Sequence, residues 1–377
     1  VAADSVEINA KEISVLGVCP AEYPLQKKRH TLEYLRTIPH LRVRTNTFNA
    51  VFRVRSVVSA SIHEFFQSRH FVYVHTPLIT ASDCEGAGEM FKVTTIGYSN
   101  EYKTEEEYYE NDFFGRKASL SVSGQLEGEV AAMGLGKIYT FGPSFRAEKS
   151  NTPRHVAEFW HVEPEVAFAE LPDIIEIAEA LIKHIINAVL DKCPEELKFF
   201  DKHFENGLIE KLKTVAGHDF AVMTYTEAIE KLKSADKEFK YPVEWGCDLM
   251  TEHERYISEE ICKKPVFLTD YPKEIKSFYM KQNPDGKTVA ATDLLVPGVG
   301  EIIGCSEREA DLDKLLEAMK TRNMSLDEYE HYIALRRFGS VPHSGFGLGL
   351  ERIIMYVTGV SNIRDVILYP RTVGSIS

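Results

Sequence analysis

The stretch FRAEKSNTPRHVAEFWHVEPE, residues 145–165, decides the fold of this chain. It joins two β-rich runs, KIYTFGPSF (137–145) and EFWHVEPEVAF (158–168), through a polar segment that contains a proline. Two such runs around a polar connection predict an antiparallel hairpin with a long loop. Arg146 and Glu148 follow the first run, so the hairpin carries charged residues where its loop begins.

Side chains of the second strand separate into a polar set and an apolar set, because successive residues of a strand point to opposite faces. The polar face consists of Phe159, His161, Glu163 and Glu165. The apolar face, which we expect to be buried, consists of Trp160, Val162, Val166 and Phe168. Together with Arg146, the polar face suits a phosphate and a stacked nucleobase. A solvent-facing side of an ordinary antiparallel sheet has a similar composition, so the hairpin alone leaves both interpretations open.

The rest of the chain predicts an antiparallel sheet flanked by helices. Apolar residues recur at helical spacing over 49–68, and a second amphipathic helix begins at Pro172 and ends near Leu190. The stretch TVAATDLLVPGVGEIIG (288–304) predicts two strands, and GFGLGLERIIMYVTG (345–359) predicts a strand that leads into a helix. Strands and helices alternate without regular β-α-β units, which is typical of an α+β fold.

Three shorter segments carry patterns of their own. Residues 5–19, SVEINAKEISVLGVC, alternate apolar and polar residues like the last strands of a small β-unit, and PAEYPLQ (20–26) is typical of a linker. EYKTEEEYYEND (101–112) contains six acidic residues and one lysine, which predicts an exposed, flexible loop. SLDE (325–328) has the pattern of a capping box at the start of a helix.

Composition excludes several classes of protein. No apolar run approaches the roughly 18 residues needed to span a bilayer, and no signal pattern opens the chain, so we expect a cytoplasmic protein without a membrane partner. Six cysteines without a C-x-x-C pair argue against a zinc ribbon or a disulfide framework. The formal net charge of -13 disfavours indiscriminate binding to polyanions, and we expect no DNA partner. Residues 27–55 hold eight Lys or Arg and one Glu, which predicts either a solvated face or a strip that contacts phosphates.

The glycine motif GFGLGLER (345–352) is a second candidate ligand-binding segment. Three alternating glycines remove side chains from one strand, so a flat ligand can lie against the backbone, and Arg352 follows within reach of a phosphate. The pattern matches neither a G-x-x-x-x-G-K-[ST] phosphate loop nor a G-x-G-x-x-G dinucleotide fingerprint. The same glycines would also permit close packing of strand and helix, so the motif taken singly leaves its function open.

Taken together, these motifs resemble the three signature motifs of class II aminoacyl-tRNA synthetases, in the same order. The helix at 49–68 with its strand and Pro77 resembles motif 1, the hairpin resembles motif 2, and GFGLGLERIIMY resembles motif 3. The resemblance extends from about Tyr23 to the C-terminus. The stretches that resemble the asparaginyl-tRNA synthetases in particular are VHTPLITASDCEGAGEMF (74–91), LSVSGQLEGEV (120–130), GEIIGCSERE (300–309) and FGSVPHSGFGLGLERIIMYVTGVSNIRDVILYPRT (338–372).

The resemblance implies ATP-dependent activation of asparagine to asparaginyl-adenylate, followed by transfer to tRNA(Asn). Arg146 would hold the α-phosphate and act with Arg352 as a catalytic residue, by position and charge rather than by covalent chemistry. Glu148 would accept a hydrogen bond from the adenine amino group, and Phe159 would stack on adenine. The ATP-binding residues implied are Arg146, Glu148, Arg154, His155, Phe159, Glu301 and Arg352. Asp293 and Glu301 would bind Mg²⁺, which favours oxygen ligands.

The choice of amino acid follows from one position. In the aspartate-specific relatives, a lysine three positions after the glutamine of a Ser-Pro-Gln motif pairs with the carboxylate of the substrate side chain. Here the motif is Ser123-Gly124-Gln125, and the corresponding residue is Gly128. Glu163 would accept from an amide NH₂ but would repel a carboxylate, and Arg308 would donate to the amide oxygen. The resemblance therefore implies asparagine, with its α-amino group bound by Glu85, Ser123 and Gln125.

The resemblance also implies a domain organisation and an assembly. Residues 1–25 would be the remnant of an N-terminal OB-type anticodon-binding barrel with its linker, and 26–377 would be the class II catalytic domain. We expect a homodimer, because motif 1 builds the two-fold interface in this class and the helix at 49–68 has a broad apolar face. Cys305 departs from the family pattern, which has glycine at this position.

Two alternative functions use the same core. An ammonia-dependent asparagine synthetase would activate aspartate, and the absence of a lysine at Gly128 counts against it. A catalytically idle paralogue would bind tRNA or ATP as a regulator. The intact residues that count against an idle paralogue are Arg146, Glu148, Glu301 and Arg352.

Overall fold

A large mixed sheet, with helices packed on one of its faces, forms most of the molecule. The structure is a computed structural model and describes residues 8–86, 89–97 and 102–376. In chain order, its strands are β1 (Val72–Tyr73), β2 (Ile79–Thr80), β3 (Lys92–Val93), β4 (Ala118–Leu120), β5 (Lys137–Phe145), β6 (Glu158–Ala167), β7 (Ala221–Thr224), β8 (Val266–Pro272), β9 (Thr288–Val296), β10 (Gly300–Glu307) and β11 (His343–Gly349).

Helices connect these strands and cover the sheet. The α-helices are α1 (Leu32–Arg36), α2 (Pro39–Arg42), α3 (Asn46–Ser68), α4 (Glu105–Glu110), α5 (Gln125–Leu135), α6 (Leu171–Lys192), α7 (Pro194–His203), α8 (Leu208–Gly217), α9 (Tyr225–Lys233), α10 (Thr251–Tyr256), α11 (Leu312–Thr321), α12 (Glu330–Arg337) and α13 (Leu350–Thr358). A π-helix follows α10 at Ile257–Ile261, and 3₁₀ helices cover Lys273–Ile275, Leu326–Tyr329 and Ile363–Asp365. Within the described residues, no helix combines the length and the apolar character that crossing a bilayer requires.

Eight strands form the main sheet in the order β1-β5-β6-β11-β10-β9-β8-β7. The inner pairs are antiparallel, whereas the outer pairs, β1 with β5 and β7 with β8, are parallel. The strands β2, β4 and β3 form a small antiparallel sheet beside it. The predicted α+β class, with an antiparallel sheet flanked by helices, is confirmed. The parallel outer pairs were not predicted, because they depend on which distant segments meet at the sheet edges.

Helices α3, α6 and α13 pack on one face of the sheet and form the main core with it. The helices predicted at 49–68 and from Pro172 are confirmed as α3 and α6. The apolar residues that recur along α3 are all fully buried: Val51, Val54, Val58, Ile62, Phe65 and Phe66. This apolar face therefore lies inside the chain's own core, so it gives no reason to expect a homodimer. The homodimer expected from motif 1 stays a prediction.

The hairpin forms as β5 and β6, with Arg146 just beyond the end of β5. Val162 and Val166 are buried in the main core as predicted, but Trp160 is 41% exposed and Phe168 is 75% exposed. Phe168 lies beyond the end of β6 with φ of 66°, so strand alternation no longer places its side chain. Trp160 contacts the ring of Phe141 on β5 and remains partly open to solvent.

The three shorter segments differ from their predicted structures. Residues 8–19 are exposed and contain no strand, and residues 1–7 lie outside the described residues, so the domain assignment of residues 1–25 stays a prediction. The acidic segment forms α4 rather than a loop over 105–110, because Thr104 accepts a hydrogen bond from the backbone of Glu107 and acidic residues favour a helix N-terminus. Residue 101 lies outside the described residues. Ser325 makes no side-chain cap and precedes a 3₁₀ helix, so the predicted capping box is wrong.

Several residues of the basic segment 27–55 have structural roles. Arg36 and Arg42 both pair with Asp365, which is 1% exposed. Arg42 is fully buried and donates from Nη2 to backbone carbonyls of the segment 364–368. Arg55, farther along the segment, forms an ion pair with Glu351 of motif 3. These arginines attach α1, α2 and α3 to the C-terminal part of the chain, so neither a solvated face nor a phosphate strip describes them.

Replacing Asp365 with Ala should destabilise the fold by about 3 kcal/mol or more, because buried cations would lose their carboxylate. Urea unfolding measures this change in the free energy of unfolding. As a control, Glu195→Ala removes an exposed pair with Lys198 and should change the free energy by less than about 0.5 kcal/mol. Similar values for the two variants would contradict the structural role of Asp365.

Candidate active site

A cavity of about 330 Å³ opens on the face of the sheet opposite α3 and α6. Strands β6, β9, β10 and β11 provide its floor, and the segment after β5 provides one wall. The cavity brings together every residue that the sequence predicts for the site: Glu85, Ser123, Gln125, Arg146, Glu148, Arg154, His155, Phe159, Glu163, Asp293, Glu301, Arg308 and Arg352. Their common location is a finding, whereas their individual roles stay predictions.

Arg146 lies near the middle of the cavity wall. Its Nη2 is 2.7 Å from Oε1 of Glu85, and its guanidinium carbon is 5.3 Å from the centre of the Phe159 ring. Burial alone would lower the pKa of Arg146, but the carboxylates of Glu85 and Glu148 outweigh burial and raise it. Arg146 therefore remains a cation, positioned beside an aromatic ring as a nucleotide site requires.

Glu163 is surrounded by donors from the protein itself. It accepts hydrogen bonds from the Ser123 hydroxyl, from the backbone of Gly124 at 2.9 Å and from Thr140 Oγ1 at 3.2 Å. His161 Nδ1 lies 3.1 Å from its Oε1. Burial would raise the pKa of Glu163, but His161 and these hydrogen bonds lower it to about 2. An ionised carboxylate offers about four lone-pair sites, so the described contacts occupy nearly all of them. The three hydrogen bonds leave about one acceptor site of Glu163 for a substrate amide.

Arg308 is fixed by an ion pair with Glu165, which is fully buried. The guanidinium donates to both oxygens of this carboxylate from Nε and Nη2, and Nη1 donates to Ser306 Oγ at 2.8 Å. Burial and the nearby carboxylate of Glu129 raise the pKa of Glu165 against the effect of Arg308. Two of the five N–H groups of Arg308 remain available, so the predicted donation to a substrate oxygen fits its geometry.

Two carboxylates converge at the start of β10. A Cβ atom added at Gly304 would lie 3.4 Å from Glu301 Oε1 and 3.7 Å from Asp293 Oδ1. Lys276 Nζ is 2.6 Å from Asp293, and Arg352 Nη1 is 3.1 Å from Glu301. Burial raises the pKa of Asp293, whereas Arg352 and Lys276 overcome burial and lower the pKa of Glu301 to about 2.

The loop between β5 and β6 adds Arg154 and His155 to the same end of the cavity. Arg154 donates to Glu254 and to the backbone of Val299, each at 2.8 Å. Burial, followed by the charge of Arg352, lowers the pKa of His155. Burial and Arg352 therefore favour the neutral imidazole, whereas a phosphate bound beside it would favour the imidazolium.

Comparison with known proteins identifies the family. A family model described as class II tRNA synthetases (D, K and N) matches residues 31–373. This chain belongs to that family.

Three similar proteins carry asparagine in their names. An asparagine–tRNA ligase of Acetivibrio thermocellus is 60% identical over 371 residues, which cover 98% of this chain and 80% of that protein. An asparagine–tRNA ligase of Clostridium novyi is 58% identical over 370 residues, with the same coverage of both chains. The crystal structure of asparaginyl-tRNA synthetase from Pyrococcus horikoshii complexed with asparaginyl-adenylate has a TM-score of 0.81 and 38% identity, and the match covers 92% of this chain and 74% of that one. The predicted resemblance to asparaginyl-tRNA synthetases is confirmed.

In this class II synthetase, the motif 3 glycines make room for side chains of motif 2. A Cβ atom at Gly345 would lie 2.2 Å from Glu165 Oε1, and one at Gly347 would lie 2.4 Å from His161 Nε2. A side chain at either position would have to displace the β6 side chain that crosses β11 there. Gly347 and Gly349 line the cavity, so the open strip for a flat ligand stays a prediction.

Two residues that hold the synthetase site together, Lys276 and Glu254, were not identified from the sequence, and a third, Glu165, was placed on the polar face of the hairpin without a role. Glu165 shares strand parity with Glu163, which was the one available signal for its inward orientation. Lys276 and Glu254 lie in segments without a motif, and only the folded chain brings them to Asp293 and Arg154.

Proposed function

We propose that this class II synthetase is an asparagine–tRNA ligase, which activates asparagine with ATP and transfers it to tRNA(Asn). The observation that carries the proposal is the single cavity in which the predicted phosphate ligands and the Arg308–Glu165 pair lie together. The names of relatives that are about 60% identical over nearly the whole chain support the choice of asparagine. Neither alternative function is favoured by them.

In the first step, an oxygen of the asparagine carboxylate forms a bond to the α-phosphorus of ATP, and the bond from that phosphorus to the pyrophosphate oxygen breaks. Negative charge accumulates on the phosphoryl oxygens during this displacement. Arg146, close to Phe159, is placed to neutralise charge on the α-phosphate while the ring stacks on adenine. Arg352 is placed to do the same for the outer phosphates. In the second step, a ribose hydroxyl of the tRNA terminus attacks the acyl carbon and AMP leaves.

The convergence of Asp293 and Glu301 on Gly304 fits a magnesium ion. Within the described residues, no cluster of three or more His, Cys, Asp or Glu side chains forms a complete metal cage. Mg²⁺ usually uses only one or two carboxylates together with substrate phosphates and water, so this donor set suits it. When bound, the ion would neutralise phosphate charge, and Asp293 and Glu301 would hold it beside the outer phosphates.

Recognition of the side-chain amide centres on Arg308. Glu165 fixes the guanidinium, and two remaining N–H groups can reach the amide oxygen. Glu163 supplies negative charge, fixes Ser123 and Gly124, and keeps about one acceptor site for the amide nitrogen. A carboxylate side chain on the substrate would face this negative charge without a lysine at Gly128.

Asparagine-dependent exchange between ATP and labelled pyrophosphate tests the proposal. The purified chain should catalyse exchange with asparagine and should show little exchange with aspartate. Exchange with neither amino acid would favour an idle paralogue. Formation of asparagine from aspartate, ammonia and ATP would favour the synthetase alternative.

A homodimer interface at the β1 edge of the main sheet is a further part of the proposal. Partly exposed apolar side chains gather there around a concavity of about 250 Å³, among them Tyr73, Leu78 and Trp160. A contiguous apolar patch at a sheet edge is typical of a subunit interface. This patch replaces α3, whose apolar face is buried, as the reason to expect a dimer.

Trp160→Asp should convert the dimer into a monomer, because a carboxylate would replace an apolar ring that lines the concavity. Sedimentation velocity at micromolar concentration measures the change. Val222→Asp is the matched control, since Val222 is 64% exposed on β7 at the opposite edge of the same sheet. A parent chain that sediments as a monomer would contradict the proposed dimer.

tRNA binding and location complete the proposal. Lys27, Lys28 and Arg29 are exposed, unlike Arg42, and are the candidates of the basic segment for phosphate contacts. The assignment of residues 1–25 to the end of an anticodon-binding barrel remains part of the proposal. Consumption of ATP and tRNA fits the cytoplasmic location expected from the sequence.

A further inference from the structure

Glu254 lies on α10, behind the cavity wall rather than in its lining. Its residue is 8% exposed, and its Oε2 accepts hydrogen bonds from Arg154 Nη1 at 2.8 Å and from the backbone N–H of Glu301 at 3.2 Å. The buried Glu254 carboxylate therefore contacts both Arg154 in the motif 2 loop and Glu301, the second residue of β10. None of the predicted roles accounts for it.

The contacts of Arg154 leave a defined part of its guanidinium free. Nη1 donates to Glu254 and to the carbonyl of Val299, and Nη2 donates to Thr251 Oγ1, each at 2.8 Å. Arginine has five N–H groups, so the Nε–H and one N–H of Nη2 remain. Nε and Nη2 form one edge of the planar group, which can bind two oxygens of a phosphate at once. Because Arg154 lines the cavity, this edge is available to a ligand there.

Gly300 makes the contact between these two side chains possible. Its φ is +91°, and a Cβ atom would lie 2.3 Å from Glu254 Oε2 and 2.5 Å from Arg154 Nη1. Any side chain at position 300 would force the ion pair apart. The neighbouring Gly298 has φ of +85°, but a Cβ atom there would meet nothing within 4 Å.

We propose that Glu254 is a positioning residue for the outer phosphates of ATP, which holds Arg154 with its Nε/Nη2 edge directed into the cavity. The identity of the nucleotide rests on the proposed function. Glu254 touches no substrate and acts only through Arg154 and the backbone of Glu301. In the competing interpretation, the Glu254 carboxylate competes with phosphate for Arg154 and so weakens ATP binding. The two interpretations predict opposite effects of removing Glu254 on ATP affinity.

Calorimetric titration of Glu254→Ala with ATP and with AMP separates the two interpretations. We expect ATP to bind about tenfold more weakly, because the cation that contacts its outer phosphates loses a charge-assisted hydrogen bond. Binding of AMP, which lacks outer phosphates, should be unchanged. Glu254→Gln retains an acceptor oxygen and should restore part of the ATP affinity. Glu252→Ala is the matched control, because Glu252 lies on the same helix but accepts from Tyr241 instead of Arg154.

Gly300→Ala provides an independent route to the same disruption and should reproduce the selective loss of ATP affinity. Gly298→Ala imposes similar backbone strain without a clash and should leave ATP affinity unchanged. If Glu254→Ala does not fold, Glu254→Gln and Gly300→Ala carry the test. Unchanged or tighter ATP binding in the variants that fold, or equal weakening of ATP and AMP, would overturn the proposal.

Exchange kinetics distinguish this proposal from the proposed function. In Glu254→Ala, the KM for ATP should rise about tenfold while the KM for asparagine is unchanged, as expected when a contact to the phosphates alone is lost. The titrations require no amino acid. A selective loss of ATP affinity in a chain without asparagine-dependent exchange would therefore reject the proposed function and retain the role of Glu254.

Discussion

Arg146→Ala is expected to lower the rate of asparagine-dependent exchange by about 10²–10³-fold, the loss typical of removing one preorganised donor to a developing charge. Arg146 is the cation closest to the Phe159 ring and pairs with Glu85 on the other side. The carboxylates of Glu85 and Glu148 outweigh burial and keep Arg146 charged. In its proposed role, this fixed charge would act on the α-phosphate without reorganisation. Stability should change little, because its side chain is 30% exposed and lies outside the main core.

Pre-steady-state formation of the adenylate measures the effect of Arg146→Ala on the chemical step directly. Arg337→Ala is the control, since Arg337 is about half exposed on α12 and pairs only with Glu330. It removes one arginine from the same protein and should leave exchange unchanged. An Arg146→Ala variant with the parent's exchange rate would reject the assignment of motif 2 to the α-phosphate.

Gly128→Lys is expected to raise the use of aspartate relative to asparagine by about tenfold or more, because it adds a cation where the substrate carboxylate would otherwise be repelled. The parent should prefer asparagine by about 10⁴-fold, as a site built around paired polar groups can. A Cβ atom at Gly128 would lie 3.4 Å from Glu165 Cγ and 3.5 Å from Ile138 Cδ1, which is ordinary van der Waals contact beside the Arg308–Glu165 pair.

Exchange rates with both amino acids, on the parent and on the variant, give the change in specificity. Gly134→Lys is the matched control, because Gly134 lies on the same helix α5 and a Cβ atom there would meet nothing within 4 Å. The Gly134→Lys variant adds the same charge away from the cavity. Its ratio of exchange rates with aspartate and with asparagine should equal that of the parent. Efficient use of aspartate by the parent, or the same ratio in Gly128→Lys, would remove the basis for asparagine specificity.

The structure also changes how amide recognition is explained. The sequence assigned the amide nitrogen to Glu163 and the amide oxygen to Arg308. In the folded chain, Glu163 accepts from Ser123, Gly124 and Thr140, which leaves it about one acceptor site, whereas Arg308 keeps two donors free. We therefore expect the guanidinium to supply more of the contacts to the amide than the carboxylate does.

The sequence by itself determined the fold class, the hairpin and the helices α3 and α6, and its resemblance to the family identified 13 of the residues that line the cavity. These features depend on local patterns: strand alternation, helical spacing and short motifs in which chemistry-bearing residues lie close in the chain. Residues such as Arg146 and Phe159 were therefore identified before their geometry was known.

Only the tertiary structure decided which groups face each other. The apolar face of α3 was expected at a dimer interface but packs within the core, because α6 covers it. Arg154 and Glu254 are 100 residues apart in the chain, and Arg308 and Glu165 are 143 residues apart. A contact across such a separation leaves no local pattern, because its energy depends on the burial and the geometry that the folded sheet creates.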